Sequence, residues 1–413
     1  MKAVMKQAVK NYLKNPVFWI AFLIIMIGVY QDVSPYLKLH WFTSDQEIRE
    51  MQVDDIPMND LDVMQGYLPA TWEQQKAAAL QTIGQTLLEE FDMTDEEVQA
   101  LLEKFRDMEI GEIQEYLEGI GYYGSLYTFE DNRYIQGTAR EVNQYMEERF
   151  KQHPYSWYLA NKFADFGGLY LGFGASILLA LLFYQDTRKN TWELLHTKPV
   201  TAWQYVLGKA LGGLLVMLMI LAALTIFFAG LCLAVGLGEN LPVNLLDFPA
   251  AAVKYILPNL IMIVSVYAVV ALAFRNPLPG APILFLYLLY SNMGVKGPDG
   301  IYDYYGRPLA IMVRFPGNFL ETAAPSITGF NQIFLLVCSG LLPAAATSVV
   351  EISREIFLFH RKLLSYEIKT LREDRTAAEW KMSHARPAAG GESCFAGFFL
   401  SRGTKEKRRR RAD

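Results

Sequence analysis

Six long windows without a charged side chain constrain this sequence more than any other feature. They run over residues 15–31, 166–185, 210–238, 255–274, 276–295 and 322–350, and the shortest has 17 residues. A helix needs about 20 apolar residues to cross about 30 Å of hydrocarbon. The windows therefore exclude a water-soluble globular enzyme and predict an all-α polytopic membrane protein with six transmembrane helices.

The charges between the windows predict the orientation of the chain. Residues 32–165 carry 27 acidic and 10 basic residues, so the remainder is strongly basic although the overall net charge is −5. The basic residues precede the first window, occupy the loop 186–209 and fill the tail. Since short loops rich in Lys and Arg stay cytoplasmic, both termini are predicted to lie in the cytoplasm of a multi-pass plasma-membrane protein.

The windows also predict the domain organisation. The first window is expected to be an uncleaved anchor, because no small-x-small cleavage site follows it. The predicted parts are an amphipathic elbow helix at 1–15, transmembrane helix 1 at 16–31, a mostly helical extracytoplasmic domain at 32–162, transmembrane helices 2–6 at 163–350, and a cytoplasmic helix with a disordered basic tail at 351–413.

The N-terminal segment has lysines at every fourth position, Lys2, Lys6, Lys10 and Lys14. Apolar side chains fill the opposite arc at helical spacing, which is typical of a helix that lies in the headgroup plane. The four lysines are therefore predicted to anchor the helix to anionic membrane lipid. A plain charge cluster that only fixes the orientation is the alternative.

The acidic segment 32–162 is predicted to be helical. Thr94 and Glu97 form a capping box that opens a helix over 95–108, and further helices are expected over 71–91 and 132–151. The aromatic residues Tyr155, Trp157 and Tyr158 are expected to form an interfacial belt where the chain enters the membrane. The acidity indicates either binding of cations or a cationic substrate, or only solubility.

Ionisable residues are expected only at the edges of the windows, at Asp165, Lys209, Lys254 and Arg275, where side chains reach the interface. A proton-relay carrier is therefore disfavoured. The fifth window is less secure, because prolines at its start leave a clean helical part only over 283–294, too short to cross the bilayer comfortably.

No catalytic or metal-binding constellation is present in the sequence. The five histidines lack ligand spacing, and Gly208-Lys209 is followed by Ala210 rather than the Ser or Thr of a phosphate-binding loop. We therefore expect no catalytic residue, metal or cofactor in this chain, and any ATP and magnesium would belong to a partner. Arg408–Arg411 are expected to contact lipid rather than nucleic acid.

The loop 186–209 carries the most informative pattern. Thr191 can cap a short helix over 192–197 that Pro199 ends. Trp192 and Leu195 then share one side with Leu194 nearby, which makes an apolar knob rimmed by charge. Such a knob favours insertion into a groove of a partner protein. The alternative places Trp192 in the membrane interface.

This loop resembles the signature loop of type-2 ABC exporter permeases. The resemblance rests on Arg188, Asn190-Thr191, Glu193-Leu194-Leu195, Pro199-Val200-Thr201 and Gly208-Lys209, with Asn190 where the family has glycine. It implies a permease subunit that pairs with an ABC ATPase subunit and with a second permease, identical or related. The implied ATPase-coupling residues are Arg188, Thr191, Trp192, Glu193, Leu194, Leu195 and Pro199.

A function of another class stays open on the sequence alone. A membrane sensor would bind a ligand through the domain at 32–162 and report it through the basic tail. Nothing in the sequence selects a transported substrate.

Overall fold

The computed structural model describes residues 2–51, 61–180, 202–274, 276–296, 302–304 and 306–342, together with 344, 348, 352, 355, 356 and 359. The chain divides into two compact units, Met1–Ile352 and Ser353–Asp413. The helices and strands named below all lie in the first unit.

The described part of this unit is mostly helical, with two small antiparallel sheets. The strands are β1 Tyr67–Pro69 with β2 Tyr134–Gln136, and β3 Val295–Lys296 with β4 Tyr302–Asp303. The helices are α1 Lys2–Leu13, α2 Pro16–Val33, α3 Asp45–Arg49, α4 Trp72–Glu90, α5 Asp95–Phe105, α6 Ile110–Gly119, α7 Ser125–Asp131, α8 Ala139–Gln152, α9 Tyr155–Leu178, α10 Ala202–Glu239, α11 Asp247–Ala251, α12 Leu257–Ala273, α13 Gly280–Asn292 and α14 Thr328–Leu342.

Three described stretches are long and apolar enough to cross a membrane: Pro16–Lys38, Leu207–Glu239 and Asp247–Val270. In the last stretch a π-helical turn, Ala252–Ile256, joins α11 to α12. The helix α14 is apolar but shorter. The helix α9 has 24 residues, yet it is not among these three, and it carries Lys162 and Asp165. The count of six crossings stays a prediction.

The segment 34–152 between α2 and α9 contains a core of its own. Helices α4 and α5 begin with capping boxes at Thr71 and Thr94, which confirms the predicted helix starts. The apolar faces of α4 to α7 meet around the fully buried Phe105. The buried members of this small core are Ala79, Leu80, Ile83, Leu87, Val98, Phe105, Ile113, Leu117 and Phe129.

The helix predicted over 132–151 begins later than expected. Residues 134–136 form β2, and α8 starts after another capping box, in which Thr138 and Glu141 accept hydrogen bonds from each other's backbone amides. The prediction was wrong at this end because the cross-strand partner of β2 is β1, more than 60 residues earlier in the chain.

The predicted aromatic belt at the start of α9 is largely inside the protein. Tyr155 and Tyr158 are buried, and both rings pack against the buried ring of Phe319 at centroid distances of 5.9 and 6.0 Å. Only Trp157 is partly exposed, and it stacks on His153 at 3.9 Å. These aromatic residues therefore connect α9 to a distant part of the chain rather than to the interface.

The helix α13 has only 13 residues, so the fifth window provides a short helix as expected, but its bounds differ from the predicted 283–294. It starts at Gly280, contains Pro282 near its N-terminus and ends at Asn292. The chain then forms β3 and β4 and continues as an irregular stretch that packs back into the main core. We call residues 306–327 the return segment. It contributes buried apolar side chains to this core, namely Ile311, Met312, Val313, Phe315, Phe319 and Leu320.

Candidate functional site

The predicted coupling residues lie outside the described part of the chain. Arg188, Thr191, Trp192, Glu193, Leu194, Leu195 and Pro199 all fall between α9 and α10, in residues 181–201. The structure therefore leaves their role as a prediction. It does describe the two helices that flank them and the N-terminal helix that contacts both.

The helix α1 has the two faces that the sequence predicts. Lys2, Lys6, Lys10 and Lys14 are all exposed, whereas Ala8 and Tyr12 are buried. The exposed lysines agree with an anchor on anionic lipid, and that role stays a prediction.

The buried face of α1 contacts the helices on both sides of residues 181–201. The predicted loop 186–209 is shorter than expected at its end, because α10 starts at Ala202 and includes residues 202–209. The Tyr12 hydroxyl donates a hydrogen bond of 2.9 Å to the Leu178 carbonyl at the end of α9. A Cβ atom built on Gly212 of α10 would lie only 2.7 Å from the Ala8 Cβ, so the absent side chain lets α1 and α10 pack closely. One helix thus connects both ends of the loop.

A buried ion pair lies in the middle of α9, which corrects the prediction that Asp165 sits at a helix edge. Asp165 and Arg314 of the return segment form a salt bridge, and their side chains are 3% and 10% exposed. The second oxygen of Asp165 accepts a hydrogen bond from the Phe315 amide at 3.3 Å. Arg314 also donates to the Asn292 side chain and lies over the Tyr304 ring at 4.3 Å. Each charge has partners that offset its burial.

The other predicted edge charges behave differently. Lys254 is exposed in the π-helical turn, Lys209 lies within α10, and Arg275 falls outside the described residues. By contrast Lys162, one turn before Asp165, is buried and donates a hydrogen bond of 2.8 Å to the Gly317 carbonyl. Two side chains of α9 therefore hold the return segment.

The 34–152 segment holds the return segment from the other side. The buried Asp62 carboxylate accepts hydrogen bonds from the amides of Phe319 at 2.7 Å and Val63 at 2.6 Å. Glu321 pairs with Arg149 of α8 at 3.0 Å and accepts a hydrogen bond of 2.8 Å from the Tyr134 hydroxyl. The return segment is thus connected both to α9 and to the 34–152 segment, and we call this set of contacts the junction.

Burial raises the pKa of the Asp62 carboxyl to about 6, although the two amides and the Lys162 charge act to lower it. The negative charge of Glu321 also raises the pKa of Asp62. Because this pKa exceeds the ordinary 3.8, the closed junction binds the proton more tightly than a state in which Asp62 meets water. The contribution of Asp62 to stability is therefore largest at low pH and is lost as the pH rises through about 6.

We expect the free energy of unfolding of the junction to fall by about 1–1.5 kcal/mol between about pH 5 and about pH 7.5 because of Asp62 alone. The measurement is the melting temperature of the purified protein across this range, compared with Asp62→Asn, which removes the titration. The exposed Asp107→Asn is the control and should retain the wild-type slope. Identical slopes for wild type and Asp62→Asn would contradict the prediction.

Sequence reasoning did not find the junction. The prediction relied on windows without charge, and that criterion started the second window at Phe166 and left Lys162 and Asp165 outside it. The available signal was the helical continuity of 155–165, where apolar residues surround both charges. Among the described residues, no group of three or more His, Cys, Asp or Glu side chains is placed to hold a metal ion.

Comparison with known proteins gives one match. A family model described as an ABC-2 family transporter protein matches residues 2–299. No curated protein and no solved structure matches the chain. The matched range includes α1, the 34–152 segment, α9 and the loop 186–209, and it ends before the return segment.

Proposed function

This chain belongs to the ABC-2 family of transporter proteins, and we propose that it is the permease subunit of an ATP-driven exporter. Membership makes it a polytopic membrane protein with a transport role, and such permeases are generally non-catalytic subunits. In the proposal, six transmembrane helices line the path, both termini are cytoplasmic, and the 34–152 segment lies outside the plasma membrane.

The ATPase is proposed to be a separate subunit that binds the loop 186–209. The observation that carries this proposal is the family match, which spans the loop together with the helices on either side of it. Trp192 and Leu195 would enter a cleft of the ATPase, while ATP and magnesium would bind within that partner. A second permease, identical or related, would complete the path.

The packing of α1 supports a mechanism for this coupling. Nucleotide binding would close the ATPase dimer and push the loop, and the loop joins α9 to α10. Because α1 contacts Leu178 and Gly212, it would move with both helices and transmit the displacement along the membrane surface. The bundle would then alternate between two states whose populations the nucleotide shifts. The family match gives no support to the sensor alternative.

The test of this proposal is a double substitution in the loop. We expect Trp192→Ala with Leu195→Ala to abolish co-purification of the ATPase, because burial of large apolar side chains dominates helix-in-groove binding. The measurement is the amount of ATPase recovered with the tagged chain from native membranes.

A matched control uses another Trp and Leu pair of the same chain. Trp72→Ala with Leu88→Ala removes exposed side chains of α4 and should leave the recovered ATPase unchanged. Both double variants should insert into the membrane at the wild-type level. If the loop variant still recovers the ATPase in equal amount to the chain, the docking assignment is wrong.

A further inference from the structure

Three carboxamide side chains are buried in the helical bundle without a full set of hydrogen-bond partners. Asn161 and Asn259 are each 3% exposed and Gln332 is 9% exposed. Within the described part of the chain, the Asn161 Nδ2 atom and both polar atoms of Asn259 and Gln332 have no partner. A buried amide without hydrogen bonds carries the full cost of its lost hydration, and a bound polar molecule would offset that cost.

Two of these residues lie on facing sides of α9 and α12. A Cβ atom built on Gly168 would lie 3.9 Å from the Asn259 Nδ2 atom. Asn161 precedes Gly168 by seven residues, which places it on the same face of α9, two turns away. Asp165 lies on this face between them, with its charge already balanced by Arg314. The face Asn161–Gly168 is therefore a polar stripe.

The position of Gln332 follows from the contacts of α14. The Ser265 hydroxyl of α12 donates to the Ser339 carbonyl at 3.3 Å. Asn331, in the first turn of α14, lines one cavity with Arg314, whose partner Asp165 lies one turn before the Gly168 that faces Asn259. The start of α14 is therefore on the Asn259 side and Ser339 on the Ser265 side, so the two helices run in the same direction. Gln332 is seven residues before Ser339 and shares its face, which places it near the level of Asn259.

The side chains of Asn259 and Gln332 indicate which kind of ligand the site would bind. The two carboxamides of Asn259 and Gln332 together offer donors and acceptors but no charge, so the site suits a neutral molecule with both functions rather than an ion. A water molecule needs two to four polar partners, and buried waters usually satisfy buried polar groups of this kind. The only described charges on the adjoining face of α9, Lys162 and Asp165, are already engaged with the return segment.

We propose that Asn259 and Gln332 bind water between α9, α12 and α14, and that this site connects along the Asn161 face to the aqueous side on which the 34–152 segment lies. The site is a hydrated position inside a single subunit, and it goes beyond the proposed function because it does not depend on the ATPase. Dry packing of the two carboxamides against each other is the competing arrangement.

The test is the reactivity of cysteines placed at the site. Asn259→Cys and Gln332→Cys are made separately in a chain whose three native cysteines are replaced by alanine. Membranes are treated with a small, charged methanethiosulfonate reagent that does not cross lipid. The control is Ile263→Cys, one turn further along α12, since Ile263 is fully buried and apolar. Tyr123→Cys, on an exposed position, gives the maximal rate.

We expect the two site cysteines to react at least about tenfold faster than Ile263→Cys, because a dry apolar setting raises the pKa of a thiol and each unit removes about nine-tenths of the thiolate. If one of the two variants, Asn259→Cys or Gln332→Cys, is not monodisperse after purification, the labelling rate of the other is enough for the test. Rates equal to that of Ile263→Cys, with Tyr123→Cys fully labelled, would overturn the proposal. Labelling is measured without ATPase, so its outcome is separate from that of the loop substitutions.

Discussion

Replacing Asp165 with alanine is expected to lower the free energy of unfolding by about 3–5 kcal/mol, because removal of one partner leaves the buried Arg314 charge uncompensated. The effect is large since both side chains are almost inaccessible to water and Asp165 also accepts the Phe315 amide. We expect removal of the Asp165 carboxylate to release the return segment from α9. The measurement is thermal or denaturant unfolding of the purified protein in detergent.

Two further variants separate the charge from the packing. The double substitution Asp165→Leu with Arg314→Met removes both charges. It should restore most of the free energy of unfolding that Asp165→Ala loses, since apolar replacement of a buried ion pair often leaves stability unchanged. Glu147→Ala breaks the exposed pair with Lys151 on α8 and should cost only about 0.3–0.5 kcal/mol. If the double variant is no more stable than Asp165→Ala, the charge explanation is wrong.

Replacing Phe105 with alanine is expected to destabilise the small core of the 34–152 segment by about 3–5 kcal/mol. Phe105 is fully buried, and its ring packs edge-on against Tyr116 at 5.4 Å. The core has few buried members, and none of them belongs to the main core. A loss of this size is therefore expected to unfold α4 to α7 while α8 and the membrane helices persist.

Hydrogen exchange resolves this local effect. Backbone amides of α4 and α5 should lose protection in Phe105→Ala, whereas those of α8, whose buried residues belong to the main core, should keep it. Tyr123→Ala serves as the control, because this side chain is 74% exposed and its removal should change neither region. Uniform loss of protection across α4 and α8 would show that the two cores unfold together.

Several features were predictable because they depend on residues close together in the chain. The capping box at Thr94 and the lysine spacing of α1 involve partners three or four residues apart. The shortness of α13 was expected from its own window, although Pro282 lies inside the helix rather than before it. Each of these patterns has a local physical cause, and the structure confirms each one. The role of the loop 186–209 stays a prediction, supported by membership of the family.

The features that sequence reasoning missed join distant residues. Arg314 and Asp165 are 149 positions apart, and Asp62 meets Phe319 after 257 positions. A composition window treats a charge such as Asp165 as the boundary of a helix. Only the fold supplies the partner that lets a charge stay inside one.

The sequence by itself determined the membrane class of this protein and the positions of several of its longer helices, because hydrophobic length, periodicity and short motifs are local quantities. The tertiary structure decided which polar groups are buried and what they bind. A buried charge or carboxamide is tolerated only where another segment neutralises or hydrogen-bonds it, and that partner is set by chain packing rather than by sequence distance.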